Sequence, residues 1–517
     1  ERVPVGYKWI KCHLVFDVKM DFIRKARYVA GGHMTDPPST LTNSSVVSRD
    51  SVRIAFMLAA LNDVQLLAAD IGNAYLNAPT REKVYTTAGL EFGAELQGQP
   101  VLIVRALYGL KSSGAAWRAH LAGTLQSLGF ISSLADPDVW YREATKPDGF
   151  QYYEYLLAYV DDILVLSHAP TTIMKGLEEF YRLKDGYEQP TRYLGAEVLQ
   201  WRFPDELQPK WALSSHQYVK EAIRNIELEL AKSNLRLPKK SSTPMPLNYR
   251  PELDTSPLLT DEAINYYQSQ ISILRWAVEL GRIDIYIDTA LLSQHLVHPR
   301  QGHLEAVYHI YSYLKSHERS TMVFDDAVVQ YSQADFQTFD WTDFYGDVKE
   351  AITPNAPKPR GNPVQTTAFV DANHAGNQVT RRSHSGILIY CNSSPIIWYS
   401  KAQATVETST FGSEFVALRI ATELIEALRY KLRMFGVPLD GPTNVLCDNK
   451  TVVDNSTLPS STLKKKHNAI CYHRVREAVA AQTIRIAHVP TGQNLADMFT
   501  KPLGGCKLHE FCKRILY

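Results

Sequence analysis

The run EYLLAYVDDILVLS, Glu154–Ser167, sets two carboxylates, Asp161 and Asp162, inside an otherwise apolar segment. An ionised carboxylate is not buried without a partner, because moving an unpaired charge out of water is very costly. A β-hairpin resolves part of the conflict. Tyr153–Tyr159 forms one strand, Ile163–Ser167 the other, and the two acids sit at the connection, facing a cleft. Alone, an Asp-Asp turn reads as solvated. A third acid, Asp70, closes the apolar run VQLLAAD. If these strands are neighbours, three carboxylates converge and repel one another unless a cation lies among them. Hard oxygen donors with no His or Cys nearby suit Mg²⁺. A paired-metal site of this kind serves phosphoryl transfer.

A second set of acids repeats the logic with different spacing. Asp371 ends the apolar strand AFV, and Asp448 follows NVLC. Glu414 is expected in the first turn of a long amphipathic helix, beside its buried stripe of Phe415, Leu418, Ala421, Leu428 and Leu432. Asp497 lies in NLADMFTKPL. Each acid alone reads as a surface residue or helix-start carboxylate; the set of four does not. Glu423 and Glu426, on the same helix, read as solvated.

The elements that must position these groups emerge from pattern and punctuation. YKWIKCHLVFDVK and RKARYVAGGHM read as strands bounded by charged or Gly turns. SRDSVRIAFMLAALND reads as a helix capped by Ser48 or Asp50, and GAAWRAHLAGTLQSLG as a helix closed by Gly129. From about 206 to 320 the chain reads as mainly helical: SSHQYVKEAIRNIELEL with a capping Ser, then helical patterns over about 262–297 and 301–317. The stretch 321–365 has weak periodicity and ends in TPNAPKPRGNPVQ, a linker composition. Beyond it, strands, a helix stopped by Gly436 and Pro438, and a further strand predict an α/β unit with a mixed sheet.

Composition sets the outer bounds. The 517 residues suffice for two to four domains, and 45% apolar content is ordinary for a globular protein. A net charge of +1 neither demands nor excludes a nucleic-acid partner. Six cysteines without a CxxC pair argue against a zinc knuckle or disulfide framework and fit a reducing intracellular compartment. No apolar run reaches membrane-span length, and no secretory signal is visible, so no membrane partner is expected. A chain that begins with Glu1 is expected to be a piece of something longer.

The quoted motifs carry a resemblance. AYVDDILVLS resembles the YxDD motif of reverse transcriptases, and LLAADIGNAYLNAP, VRALYGLKSSGAAWRAHL, RKARYVAGGH and RYLGAEV resemble their companion motifs, in order and spacing, in copia-type LTR retrotransposons. DANHAG, RRSHSG, WYSKAQATVETST, SEF, LCDN and NLADMFTKPL resemble the ribonuclease H unit of the same elements. The implied fold is multidomain α+β and α/β, a right-hand polymerase (fingers, palm, thumb) with a C-terminal ribonuclease H-like domain. The expected boundaries are 1–205 for fingers and palm, 206–320 for a helical thumb and connection, 321–365 for a tether, 366–502 for ribonuclease H and 503–517 for a tail. Part of the usual fingers is expected to be missing at the N-terminus.

The resemblance also implies roles. Asp70 and Asp161 become the principal metal ligands with Asp162 beside them; Asp371, Glu414, Asp448 and Asp497 become the ligands of the second site. Two Mg²⁺ are expected per site, with Mn²⁺ able to substitute. Lys25 and Arg27 contact the triphosphate of an incoming dNTP, Tyr75 collides with a ribose 2′-hydroxyl, and Tyr159 touches the template–primer. The expected chemistry is DNA synthesis on RNA and DNA templates and two-metal cleavage of the RNA strand of RNA–DNA hybrids, read through backbone shape and 2′-hydroxyls. The implied partners are an RNA template, a DNA or tRNA primer, the hybrid and a possible homodimer mate. Protease and integrase are expected elsewhere on a polyprotein, since no DSG or DTG triplet and no integrase zinc pattern occur. The implied location is a cytoplasmic virus-like particle and later the nucleus.

Several points stay open at the level of sequence. Ser112 follows YGLK where many relatives carry Gln, so a Gln contact to the nucleotide does not carry over. His488 is either the loop histidine of ribonuclease H or only a residue of the strand TIRIAHVP. His467 and His473 lie in KKKHNAICYHRVR, which either contacts phosphates or is a solvated helix face. Two rival readings remain: an RNA-dependent RNA polymerase, opposed by Tyr75 and the second acidic set, and a non-catalytic structural subunit or decayed copy, opposed by the presence of all seven acids.

Overall fold

The computed structural model describes residues 3–18, 24–34, 42, 44–206, 208–238, 240–463 and 466–517. Lys464 and Lys465 of the basic segment lie outside them. Contacts divide the chain into two compact units, Glu1–Val52 with Val64–Pro190, and Arg53–Asp63 with Thr191–Tyr517.

In the first unit, β1 (Cys12–Val18) and β2 (Arg24–Ala30) form a hairpin with Val15 opposite Arg27 and Asp17 opposite Lys25. Helix α1 (Arg49–Leu61) starts directly after Ser48, has Asp50 in its first turn and from Arg53 onward belongs to the second unit. The main sheet is antiparallel. Its strands are β3 (Gln65–Ile71), β4 (Val139–Thr145), β5 (Gln151–Tyr159), β6 (Asp162–Ser167) and β7 (Leu183–Glu188), in the order β7-β3-β6-β5-β4, with the two-residue strand Ile131–Ser132 at the β4 edge. Helices α2 (Ser113–Ser127) and α3 (Pro170–Glu178) cover one face. Trp117, Leu121 and Leu125 of α2 and Ile173, Met174 and Leu177 of α3 pack on Leu156, Ala158, Ile163 and Val165. Each such large apolar side chain contributes about 1.5–3 kcal/mol on burial, and together they explain the apolar flanks of the Asp-Asp pair. Glu154, the other acid of that run, is buried and satisfied by Arg142 at 2.8 Å and Ser167 at 2.6 Å.

The second unit begins with β8 (Ala196–Trp201) and β9 (Lys210–Ser214), then helices α4 (His216–Lys232), α5 (Asp261–Glu279), α6 (Tyr286–Leu292) and α7 (Gln301–Ser316). The pattern read as one helix over 262–297 is broken after α5, where Gly281 takes φ 112° and redirects the chain. Ser215 stands at the start of α4 but makes no side-chain cap bond; Ser214 Oγ accepts from the His216 N–H instead. The segment 321–365 opens with β10 (Thr321–Val323), paired to β9. Further along, Phe336 packs with Leu446, Ala487 and Val489. Glu350 is gripped by Arg429 and Arg433. Irregular chain making one anchor at a time leaves no periodicity to read.

The mixed sheet predicted for the C-terminal part is present. Strands β11 (Thr366–Asn373), β12 (His384–Cys391), β13 (Ser394–Ala402), β14 (Thr443–Cys447) and β15 (Ile484–His488) run in the order β13-β12-β11-β14-β15. The first three are antiparallel, and β14 and β15 are parallel to β11. Helix α8 (Thr410–Met434) lies against β11 and is closed by Gly436 at φ 74°. Helices α9 (Lys450–Thr457) and α10 (Ala469–Ala480) connect the parallel strands. Helix α11 (Gly505–Cys512) buries Leu508 and Phe511, and the Thr321 and Tyr517 backbones exchange two hydrogen bonds of 2.8 Å. Among the described residues no helix is long and apolar enough to cross a membrane. The six cysteines form no disulfide.

Two candidate active sites

The first site is built on a hairpin tip. β5 and β6 pair down to Tyr159 opposite Asp162, so Val160 and Asp161 are the two central turn residues. Val160 has φ 61°, unusual for a β-branched residue, while Asp161 is not in the left-handed region. A two-residue hairpin needs a positive φ to match strand twist, and holding Val there stores about 1–3 kcal/mol. Two hydrogen bonds hold the turn: Trp117 Nε1–H donates to the Val160 carbonyl at 2.7 Å, and the Ile71 N–H donates to the Asp161 carbonyl at 2.8 Å. On the neighbouring strand Asp70 stands directly opposite Asp162. Paired residues of adjacent strands share a sheet face, so Asp70 and Asp162 stand together at one end of the sheet with Asp161 in the adjoining turn, although the three do not bring their oxygens as close together as the acids of the second site do.

Burial pushes the Asp161 carboxyl above the usual carboxylate range, and the Asp70 charge adds to this; Lys25 and Lys184 oppose it. Lys184 Nζ lies 3.8 Å from Asp70. It is aimed there by a bulge in β7 in which Asp185 and Gly186 take positive φ. Beside the acids, the Tyr75 and Tyr108 rings pack at 4.8 Å between centroids, tilted by 53°. Burial raises both phenol pKa values, and the Asp161 charge raises them further. Arg27 lies 5.8 Å from the Tyr108 ring centroid and 3.9 Å from Asp17. The Ala30 N–H donates to the Tyr108 carbonyl at 2.7 Å. That approach is open only because residue 109 is glycine: a Cβ on Gly109 would meet the Ala30 carbonyl oxygen at 2.0 Å. Tyr159 is half-buried, with the Arg49 guanidinium 5.6 Å from its ring centroid. Ser112 binds Glu82 through its N–H at 3.0 Å and its hydroxyl, at the start of α2.

The second site joins three elements. Asp371 is on β11, Asp448 directly follows β14, and Glu414 is on α8. The helix begins at Thr410 because Ser409 Oγ caps the Gly412 N–H, so Glu414 lies just beyond the first turn rather than in it. Donor oxygens of Asp371, Glu414 and Asp448 all lie within 4.8 Å of one another, the only such group among the described residues. Burial, then the Asp497 charge, pushes Asp371 up to about 7, against a 2.6 Å hydrogen bond from Thr500. Burial, then the charges of Asp371 and Asp448, raises Glu414 well above its ordinary value. Glu414 Oε2 is buried without a hydrogen-bond partner. An all-oxygen donor set, raised proton affinities and an orphaned carboxylate oxygen together fit a hard divalent cation.

Asp497 is brought near but not into that group. It sits in the turn Leu495–Phe499, tied to β11 by Asn494, whose Nδ2–H donates to the Val370 carbonyl at 2.9 Å. Lys501 binds its Oδ1 at 2.8 Å and Lys507 binds its Oδ2. Burial would raise this carboxyl, but the two lysines hold it below the usual range. The turn reaches Asp371 across Gly386, which stands opposite Asp371 on β12; a Cβ there would meet the Ala496 carbonyl oxygen at 2.6 Å. His488 ends β15 and donates through Nε2 to the Asp448 carbonyl at 3.1 Å, so it is a strand residue next to the acids. His473 is hydrogen-bonded to Tyr345 at 2.7 Å, and His467 lies 3.7 Å from Glu407.

The reverse transcriptase (RNA-dependent DNA polymerase) family matches residues 1–238, which include Asp70, Asp161 and Asp162. Residues 1–238 are therefore similar to reverse transcriptases. Beyond them the likeness continues. The chain is 28% identical over 95% of its length to the retrovirus-related Pol polyprotein from transposon RE1 of Arabidopsis thaliana, and 26% identical over 100% to that from transposon TNT 1-94 of Nicotiana tabacum. It spans 30% and 36% of those relatives. The N-terminal RNase H domain of Rv2228c from Mycobacterium tuberculosis aligns with 29% of the chain and 97% of its own, at 18% identity and a TM-score of 0.21. The resemblance to copia-type Pol proteins read from the motifs thus extends over nearly the whole chain.

Several residues around the two sites escaped sequence reasoning. Tyr108 lies inside the quoted motif VRALYGLK, where its role was legible in principle. Lys184 carries only the weak signal of turn residues, KDG, inside a strand. Thr500 and Lys501 lie inside the quoted motif NLADMFTKPL, whereas Lys507 gave no signal, because a cation ten residues from an acid is as easily solvated as paired.

Proposed function

We propose that the chain is an RNA-directed DNA polymerase with an attached ribonuclease H, working on RNA and DNA templates in retrotransposon replication. The observation that carries the reading is Asp162 opposite Asp70, with Asp161 at the adjoining hairpin tip, inside the residues matched by the reverse transcriptase family. Asp70, Asp161 and Asp162 would hold Mg²⁺ at the first site, and Asp371, Glu414, Asp448 and Asp497 at the second, with Mn²⁺ able to replace it. When bound, such ions activate the attacking oxygen and stabilise the leaving one. The remaining work belongs to the protein. Lys25 and Arg27 attract the triphosphate of a dNTP. The tilted Tyr75–Tyr108 pair supports the sugar, and Tyr75 excludes a 2′-hydroxyl. Tyr159 contacts the primer end, whether DNA or tRNA. At the second site the buried acids surround the scissile phosphate of the RNA strand. Because Asp371 and Glu414 hold protons tightly, cation uptake there is coupled to proton release.

The test is extension of a DNA primer on an RNA template, run alongside cleavage of a labelled RNA–DNA hybrid. Asp161→Asn should lower synthesis by about three orders of magnitude and leave cleavage largely intact, and Asp448→Asn should do the reverse. If either folded variant loses both activities, the two-site division is wrong. Absence of any extension product with every divalent metal tried would leave the structural-subunit reading in its place.

A further inference from the structure

We infer that Lys507, on the C-terminal helix α11, sets how readily the acidic cluster of the ribonuclease H unit accepts a second divalent cation, by holding Asp497. The inference rests on reading that cluster as a metal site. Asp371, Glu414 and Asp448 already form a three-oxygen-donor group without help from Asp497. Asp497 is wholly buried and has both oxygens occupied, Oδ1 by Lys501 and Oδ2 by Lys507. In that arrangement it has no carboxylate oxygen free of an ammonium group to offer a cation.

Charge limits how a second ion can enter. Four carboxylates and two ammonium groups leave two formal negative charges, which one dication on Asp371, Glu414 and Asp448 balances. A second dication beside Asp497 must approach two ammonium groups at close range, a repulsion large in any poorly solvated site. It therefore enters by displacing one of them. Lys501 is four residues from Asp497 and, although its side chain is 43% exposed, is tied to it by chain connectivity. Lys507 comes from a separate helix, and its side chain is 37% exposed. Leu508 and Phe511 keep the α11 backbone in place, so release of Asp497 needs a torsional swing of the Lys507 stem toward water, away from the Phe511 ring that its ammonium faces at 5.3 Å. Lys507 is a positioning residue in this scheme, acting through Asp497.

The test uses the full chain carrying Asp70→Asn and Asp161→Asn, so that only the C-terminal acids take up metal, titrated with Mn²⁺ by calorimetry at fixed ionic strength. The parent, with Lys507 intact, should bind one ion tightly and a second weakly. Lys507→Met should strengthen the second step by about tenfold or more, and Lys507→Arg should leave it as it was. Asp497→Asn should abolish the gain in the Lys507→Met protein. Lys507→Gln, which keeps a donor without the charge, gives the same reading if the Met variant disturbs α11. Superimposable isotherms for the parent, Lys507→Met and Lys507→Gln would overturn the inference while leaving the metal site intact. Failure of the parent to bind any Mn²⁺ would remove the metal-site reading itself, and the inference with it.

Discussion

At the scale of single residues, Tyr75 packs against the tilted Tyr108 ring at 4.8 Å and lies within the field of Asp161. A partly buried ring packed against a neighbouring ring resists moving aside for an extra hydroxyl, and a clash of that kind can reject a near-identical substrate. Tyr75→Ala should therefore lower discrimination against ribonucleotides by roughly tenfold or more, read from the ratio of dNTP to rNTP incorporation. Unchanged discrimination would remove Tyr75 from the gate. The acids themselves were legible because a charge in an apolar strand demands a partner. Their cationic neighbours were not. Whether Lys184 or Lys507 meets an acid depends on a bulge and on a separate helix, which no local spacing encodes.

Among elements, the β5–β6 hairpin does the most positioning, and its tip is held from outside by α2. Trp117→Phe keeps most of the apolar packing but deletes the N–H that binds the Val160 carbonyl. Stability should fall by about 1–2 kcal/mol, the cost of leaving a buried acceptor unmade, measured by denaturant unfolding. DNA synthesis should fall further than hybrid cleavage, because only the first site rests on that turn. Equal loss of both would mean that the bond matters to general folding alone. Helix ends marked by glycine, at Gly129 and Gly436, were readable from sequence because a left-handed residue is needed there. The break after α5 was missed: Gly281 sits within a stretch whose apolar spacing continues on both sides, so periodicity alone joined α5 to α6.

For the whole molecule, the segment 321–365, expected as a tether, makes contacts that its composition does not announce. Polar, proline-rich chain reads as linker, yet Glu350 packs onto α8 with hydrogen bonds of 2.8 and 2.7 Å to Arg429 and further bonds to Arg433. Burial alone would raise its carboxyl, but the two guanidinium groups win and hold it at about 2. In the unfolded chain a glutamate titrates near 4.5. The unfolded state thus binds more protons between those values, and stability drops as pH falls through that window. The contact should be fully present above the unfolded value and lost by about pH 2. Limited acid proteolysis should then cut near Glu350 at pH 3 faster than at pH 5, and Glu350→Gln should show the released pattern at neutral pH with trypsin. The α/β order of the C-terminal sheet was read correctly because strand and helix periods differ. Arg53, by contrast, joins α1, α5 and β13 through bonds to Glu279 and Ile396, and nothing near position 53 announces partners more than two hundred residues away. Gly386 bears on how such a chain tolerates change. It lets the backbone carrying Asp497 rest directly on the backbone opposite Asp371, so main-chain thickness, not side-chain volume, sets the spacing of those two acids. Substitutions in the surrounding core can then alter its volume while that spacing stays fixed. At Gly386 itself a single methyl group would force the two backbones apart.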